Sequence, residues 1–394
     1  MREIWQNIHE IDWSGLTHCY GPADDVPPLL MALRSPNQSD RQSALHRLYG
    51  KICHQGDRFA ASAEAVPFFL DLVADEDAPD RLEILGLLVS LALGDDTCCL
   101  PHGITLAGLA QWRNEIQDIK HPVVNEHQDD RYDIHALRSY EAVALGVPVF
   151  QRLLTESDSL LRLAAVHALA WFPQYSATSI PDLLRAAEKD VDPTVAASAL
   201  LSVALLAAPG DRSFDGLLES ALDSKDMANR KAAAFGLARL HAPTVDGRIV
   251  DELASTMFGW CGGVPGLMFP FWNSDPISYA AYSLMMLESE GNPYAFEAML
   301  GALPRLTHHV AHVVGRALLE IAFEAPVGPD GRFVDLSARQ RDVVVAIATA
   351  SEAWRTTGEI SKLARSVGLP DNMADLCRFA GLATPPPRRP TEQD

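Results

Sequence analysis

Lysine is scarce: six stand in 394 residues, at 51, 120, 189, 225, 231 and 362. Schiff-base chemistry therefore has few candidates. Basic residues of both kinds number 32 against 52 acidic ones, a formal charge of −20. Sequence-independent binding to DNA or RNA depends on cations displacing counterions from phosphates, so this balance disfavours it. Only a local cluster would restore a nucleic-acid reading, and Arg152, Arg162 and Arg185 are the candidates for one. The six cysteines are scattered and form no CxxC pair. That excludes a disulfide framework or a thiolate zinc site and fits reduced thiols in a cytoplasmic protein. The longest apolar stretches, 195–208 and 84–93, are interrupted by serines and too short to span a bilayer. The first dozen residues carry acids and no continuous apolar run, so no signal peptide and no membrane partner are expected. GxxxxGK[ST], GxGxxG and GxSxG are all missing. Nucleotide-triphosphate, dinucleotide and α/β-hydrolase chemistry thus lack their usual signatures, and no cofactor or metal is expected.

What is present is an apolar share of 48%, enough for a large core, and an internal repeat. SPNQSDRQSALHRL, ESDSLLRLAAVHAL, DVDPTVAASALLSV and SKDMANRKAAAFGL each join a short polar turn to a helix with small and apolar residues at fixed offsets. The anchors are Arg41, Arg81, Arg162, Ala196, Arg230, Ser278 and Arg316. Three residues beyond them stand Ala44, Ile84, Ala165, Ala199, Ala233, Ala281 and Leu319; seven beyond stand Leu48, Leu88, Leu169, Val203, Leu237, Met285 and Phe323. At 3.6 residues per turn both offsets fall on one face, which predicts a buried stripe. The anchor spacings of 40, 81, 34, 34, 48 and 38 residues match one helical hairpin with insertions. First helices precede the anchors, with Pro27, Pro67, Pro148 or Pro181 placed near their starts. Ser179 with Asp182 reads as a capping pair, and Asp192–Pro193 as a cap and first-turn residue.

This pattern resembles HEAT repeats, in which Asp, Val, Arg, Ala and Ala-Leu recur at the start of the second helix of each hairpin. Ala196 and Ser278 depart from it by lacking the Arg. A narrower likeness, to bacterial HEAT-repeat proteins of unassigned function, lies in Trp13, Leu16, His18, Tyr20, Gly21, Pro22, Ala23, Val26-Pro27, His54-Gln55-Gly56 and Ala65-Val66-Pro67-Phe68, and in LSARQR, Ala353-Trp354 and GLPDNMADL. The resemblance implies an all-α, right-handed α-α superhelix, a HEAT/armadillo-like solenoid of about seven or eight hairpins. The expected organisation is a cap segment at 1–23, one solenoid at 24–383 and a polar, Pro-rich tail at 384–394.

Two interruptions of the repeat draw attention, because solenoids carry function on insertions and on the concave face. The insertion at 94–138 holds eight acids against four bases, and four of the 13 His residues. Trp112 and Arg131 are its candidate binding residues, while Glu126, His127, Asp130 and His135 are candidate general acids and bases. The break at 257–275 contains Trp260, Phe269, Phe271, Trp272 and Asp275. Its aromatics read as core under a long loop or as the wall of a pocket. His308 and His312, four apart, share a helix face, a geometry compatible with a metal, but two ligands alone do not make a site. In the N-terminal run, His18, Tyr20 and His54 either tie loops to backbone or share a polar site.

The leading functional reading is a non-enzymatic protein-binding scaffold or adaptor that uses a concave α-solenoid surface and the acidic, His-rich inserted loop, read as solvated, with a protein or peptide partner that the charge favours as basic. The alternative is a HEAT-fold enzyme using the His, Asp, Glu and Tyr groups named above. A third is a HEAT-like DNA-binding protein or glycosylase, which the charge disfavours.

Overall fold

In the computed structural model the described residues are 3–118, 129–258, 270–271, 275–306, 308–328, 331–355 and 358–383. They form twenty α-helices and two minimal antiparallel hairpins. The expected tail lies outside the described residues. The chain divides into two compact units, one of residues 1–240 with 267–274, the other of 241–266 with 275–394.

The first unit opens with α1 (Glu3–Gln6) and then pairs helices in order: α2 (Val26–Ala32) with α3 (Gln38–Ile52), and α4 (Ala60–Ala74) with α5 (Arg81–Leu93). Next come α6 (Leu106–Asp118) and α7 (Asp129–Ala144), then α8 (Val147–Leu153) with α9 (Ser159–Leu169), α10 (Ser176–Lys189) with α11 (Pro193–Leu206), and α12 (Asp215–Leu222) with α13 (Met227–His241). Hairpin packs on hairpin, α5 on α9 and α9 on α11. The second unit holds α14 (Gly247–Thr256), α15 (Pro276–Ser289), α16 (Ala295–Ala302), α17 (His308–Ala322), α18 (Ala338–Thr349), α19 (Glu359–Ser366) and α20 (Met373–Phe379). There α15 packs on α14, α16 and α17, and α17 on α18 and α19. The expected all-α solenoid fold class is what the helices form.

Of the fourteen stripe positions, thirteen are buried and Met285 is half-buried. Small side chains bring the helices close. A Cβ on Gly236 in α13 would lie 2.9 Å from Ala204 in α11 and 3.3 Å from Leu218 in α12. In α11 every residue from Thr194 to Leu206 is buried, the pattern of a helix sheathed on all sides. Caps fall where the repeat puts them: Asn37, Asp158, Asp192 and Asp226 each accept from a first-turn N–H. Pro27, Pro148 and Pro193 stand in first turns. Pro67 and Pro181 instead lie inside α4 and α10, which begin further upstream than expected. For the same reason Ser179 is a buried interior residue of α10 and caps nothing.

The anchor arginines explain why the turns hold their shape. Arg41, Arg162 and Arg230 each donate through Nη1 to the carbonyls six and five residues upstream, tying the turn between the two helices of their own hairpin. The rest of the guanidinium can then reach onward. Arg41 Nε bonds Asp80 Oδ2 at 2.5 Å. Arg162 takes both oxygens of Asp190 at 2.8 Å, in side chains only 10% and 6% exposed. Arg81 donates to the Val73 carbonyl and to Glu156. Arg316 is different: it is exposed and pairs with Glu320 on its own helix.

Removing one member of a buried pair leaves the other charge stranded, whereas exposed pairs contribute little. Arg162→Ala should therefore lower the unfolding free energy by about 3 kcal/mol in urea titrations, and Arg316→Ala by less than about 0.5 kcal/mol. Equal effects would contradict the structural role given to the buried anchor.

Candidate functional site

Two tight hairpins build the polar cluster near the N-terminus. In one, β1 (Thr17–His18) pairs with β2 (Gly21–Pro22); in the other, β3 (Cys53–His54) pairs with β4 (Asp57–Arg58). Gln55 at φ 52° and Gly56 at φ 87° give the second turn the left-handed backbone that a two-residue loop requires. The hairpins bring His18, Tyr20 and His54 together, with ring centroids 6.2 Å apart for His18–Tyr20 and 5.6 Å for Tyr20–His54. Two partners not read from the sequence join them. Asp25 Oδ1 lies 3.0 Å from His18 Nε2, and Lys51 Nζ lies 2.9 Å from Asp25 Oδ2 and 5.4 Å from the Tyr20 ring centroid.

His18 is buried, and both of its ring nitrogens are engaged. Nδ1 accepts the Tyr20 N–H at 3.0 Å, which puts the proton on Nε2, where it is donated to Asp25. No lone pair remains to take a substrate proton. Tyr20, in contrast, is 67% exposed. At Asp25, burial acts to raise the pKa, but the hydrogen bonds from Lys51 and His18 and the charge of Lys51 outweigh it and hold the carboxyl below its ordinary value.

Of the 94–138 insertion, residues 94–118 and 129–138 are described, and its first stretch is fastened to the helices rather than standing free as a solvated loop. Asp96, Leu100 and Leu109 are buried. Asp96 Oδ2 lies 3.3 Å from His167 Nε2 on α9, and the His102 carbonyl accepts from Arg239 Nε on α13 at 2.9 Å. A Cβ on Gly103 would lie 3.1 Å from Leu205 on α11. The segment thus runs across the second helices of three successive hairpins. Beyond it, α7 packs on α4 and α5 as part of the helical layer.

Trp112 packs against Tyr140 with ring centroids 5.9 Å apart, and the buried Tyr140 hydroxyl donates to the Trp171 carbonyl at 2.8 Å and lies 3.0 Å from the Gln174 side-chain amide. His135 is half-buried on α7, and desolvation with the nearby Arg138 lowers its pKa. The break at 257–275 contributes Phe271, fully buried and packed edge-on against His167 and Trp171 at 5.0 and 6.0 Å. Asp275 is the N-cap of α15. His312 is half-buried on α17. Glu126, His127, Trp260, Phe269 and Trp272 lie outside the described residues, as do the side chains of Asp130, Arg131 and His308.

Among the described residues no group of three or more His, Cys, Asp or Glu could hold a metal ion, and no helix is long and apolar enough to cross a membrane. The five described cysteines are unpaired; burial pushes the Cys53 thiol up to about 11 and Cys99 to about 12.

Two open grooves lie between successive hairpins. In the first unit a groove of about 670 Å³ separates α8 from α10 and brings together Arg152, Arg162 and Arg185. Lys189 and Val191 join them without having been singled out in the sequence. In the second unit a groove of about 450 Å³ is lined by Glu288, Phe296, Glu297, Arg339 and Asp342.

Residues 126–204, the stretch that contains the first groove, match the family model of HEAT repeats. This stretch carries HEAT repeats. Among solved structures, an engineered protein is similar over 91% of this chain and 87% of its own at 19% identity, with a TM-score of 0.30. Importin beta is similar over 86% of this chain at 15% identity, with a TM-score of 0.31. The chain spans 45% of that importin beta chain. Comparison with curated proteins finds no match. The helical hairpins fix where the polar groups stand: Arg41, Arg81, Arg162 and Arg230 reach back to turn or helix-end carbonyls, the first three also to acids of other elements, while Arg316 stays exposed on its own helix.

Because the folded pKa of Asp25 lies below its unfolded value, its stabilising contribution is complete above the ordinary value of 3.8 and is lost as pH falls through the lower folded value. Asp25→Asn should lower the melting temperature at neutral pH, and the gap from the unaltered protein should close on acidification. A gap that stays constant from about pH 7 to about pH 2 would show that the network lacks this linkage.

Proposed function

We propose that the chain is a non-enzymatic scaffold that binds another protein through the grooves between successive HEAT hairpins. The observation that carries this reading is the fate of the polar groups. His18 has both nitrogens engaged, Asp96 is buried beside His167, and Asp275 caps a helix. Among the described residues the accessible surface includes open grooves, which stacked repeats supply at low cost in ordering.

The partner is basic at the second unit's groove. There Arg339 already lies 3.8 Å over the Phe296 ring and bonds Glu288, an internal example of how a guanidinium sits in this groove. Glu297 and Asp342 stand exposed beside it, ready for the cations of a partner. The net charge of −20 draws such a partner in.

Affinity capture with chemical crosslinking from the native host tests the reading. A stoichiometric protein released by added salt is the expected outcome, since exposed charge pairs are screened. Replacing Glu297 and Asp342 together by Lys should weaken capture about tenfold, equivalent to about 1.4 kcal/mol. Capture that stays empty across conditions would overturn the scaffold reading.

A further inference from the structure

The groove between α8 and α10 has the opposite sign to the chain that contains it. Its lining carries four cations, Arg152, Arg162, Arg185 and Lys189, against three acids, Glu156, Asp182 and Asp190. Most of the acidic charge is already committed. Asp190 gives both oxygens to Arg162, and Glu156 is held by Arg81 from outside the lining. Asp182 faces Arg185 across one exposed turn of α10, the kind of pair that water and salt weaken. Arg152 donates only to the Pro148 carbonyl of its own helix, and Lys189 has no ion pair among the described residues. The groove therefore presents uncompensated positive charge on a protein whose net charge is −20.

Its walls are also apolar. Pro148, Leu154 and Ala186 line it, and Val191 at its edge is 92% exposed. An exposed β-branched side chain beside free cations suits a ligand that brings both an apolar group and carboxylates. The base is rigid, because the Arg162–Asp190 pair and the two turn carbonyls fix it before anything binds, so little ordering is left for the moment of association.

We infer that this groove binds an acidic peptide segment of a partner protein, its carboxylates on Arg152, Arg185 and Lys189 and an apolar side chain against Leu154 and Val191. The inference rests on the scaffold reading and names the chemistry of a partner at one place. Arginine is the suited contact, since its planar fork takes a carboxylate through two parallel hydrogen bonds. A nucleic-acid backbone fits less well. It needs cations along an extended track, it offers no apolar group for Val191, and the remaining surface of an acidic chain repels a polyanion.

Fluorescence anisotropy on the full chain tests this with three labelled probes: a short peptide alternating Glu and Leu, its Lys-Leu counterpart, and a single-stranded DNA. The expected result is saturable binding of the Glu-Leu peptide alone. R152E with K189E should weaken it at least about tenfold, and Val191→Asp should weaken it while the melting temperature is kept, as all three side chains are exposed. Absence of binding by the Glu-Leu peptide, binding that R152E with K189E leaves unchanged, or preferential binding of the DNA would each overturn the inference. The same charge-reversed variant separates this inference from its premise. If it still captures the host partner at full strength and no Glu-Leu binding is seen, the scaffold reading stands and the groove assignment falls. If capture is empty for the unaltered protein as well, the premise has failed.

Discussion

Three of the hairpin junctions, those at Arg41, Arg162 and Arg230, depend on one guanidinium each. A helix entered through an Asp or Asn cap leaves the preceding turn with carbonyls that have no helical partner, and burying them unpaired is costly. Arg41, Arg162 and Arg230 answer two such carbonyls with a single nitrogen. At Arg41 and Arg162 the other nitrogens extend to an acid in the next hairpin, Asp80 or Asp190. One side chain thereby fixes a turn and joins two repeats. In a stack whose stability comes from each repeat and its neighbour interfaces, such a link adds a polar contribution to the coupling that the apolar stripe already provides.

The stripe, the caps and the anchor arginines were legible in the sequence because they are local. An i+3 and i+7 pattern needs only helical geometry, and an Asp four residues before an Arg needs only a turn. The prolines were harder. Pro67 and Pro181 look like first-turn residues, yet Ala60 to Val66 and Ser176 to Ile180 are also helical, so the helices run on upstream of them. Propensity there is overridden by packing, as the buried Ala61, Ala65 and Ser179 show. Apart from the grouping of His18 and Tyr20 with His54 and of Arg152 and Arg162 with Arg185, contacts between distant segments could not be read. Nothing near His18 announces Lys51, and nothing near Asp96 announces His167, 71 residues away.

The insertion illustrates the same limit with a larger consequence. Its acids and histidines suggest a solvated arm, and composition alone gives no reason to think otherwise. Asp96 and the His102 carbonyl are nevertheless matched by His167 and Arg239. The described part of the insertion covers the second helices of three hairpins, α9, α11 and α13. Asp96 and the His102 backbone thus serve as internal fastening, and the first groove opens beside the first helices α8 and α10.

That relocation changes what net charge can say about a partner. A total of −20 is a sum over residues, and it sets long-range attraction. Binding at short range, however, is decided by the charges left over after local pairing. Around α8 and α10 the acids are drawn inward by Arg81 and Arg162, the very anchors that hold the hairpins together. The cations that remain face outward because the repeat has already used their natural counterparts. An acidic solenoid thus acquires a positive groove as a by-product of its own junction chemistry, and the same should hold wherever an anchor arginine and a first-helix cation fall on adjacent repeats.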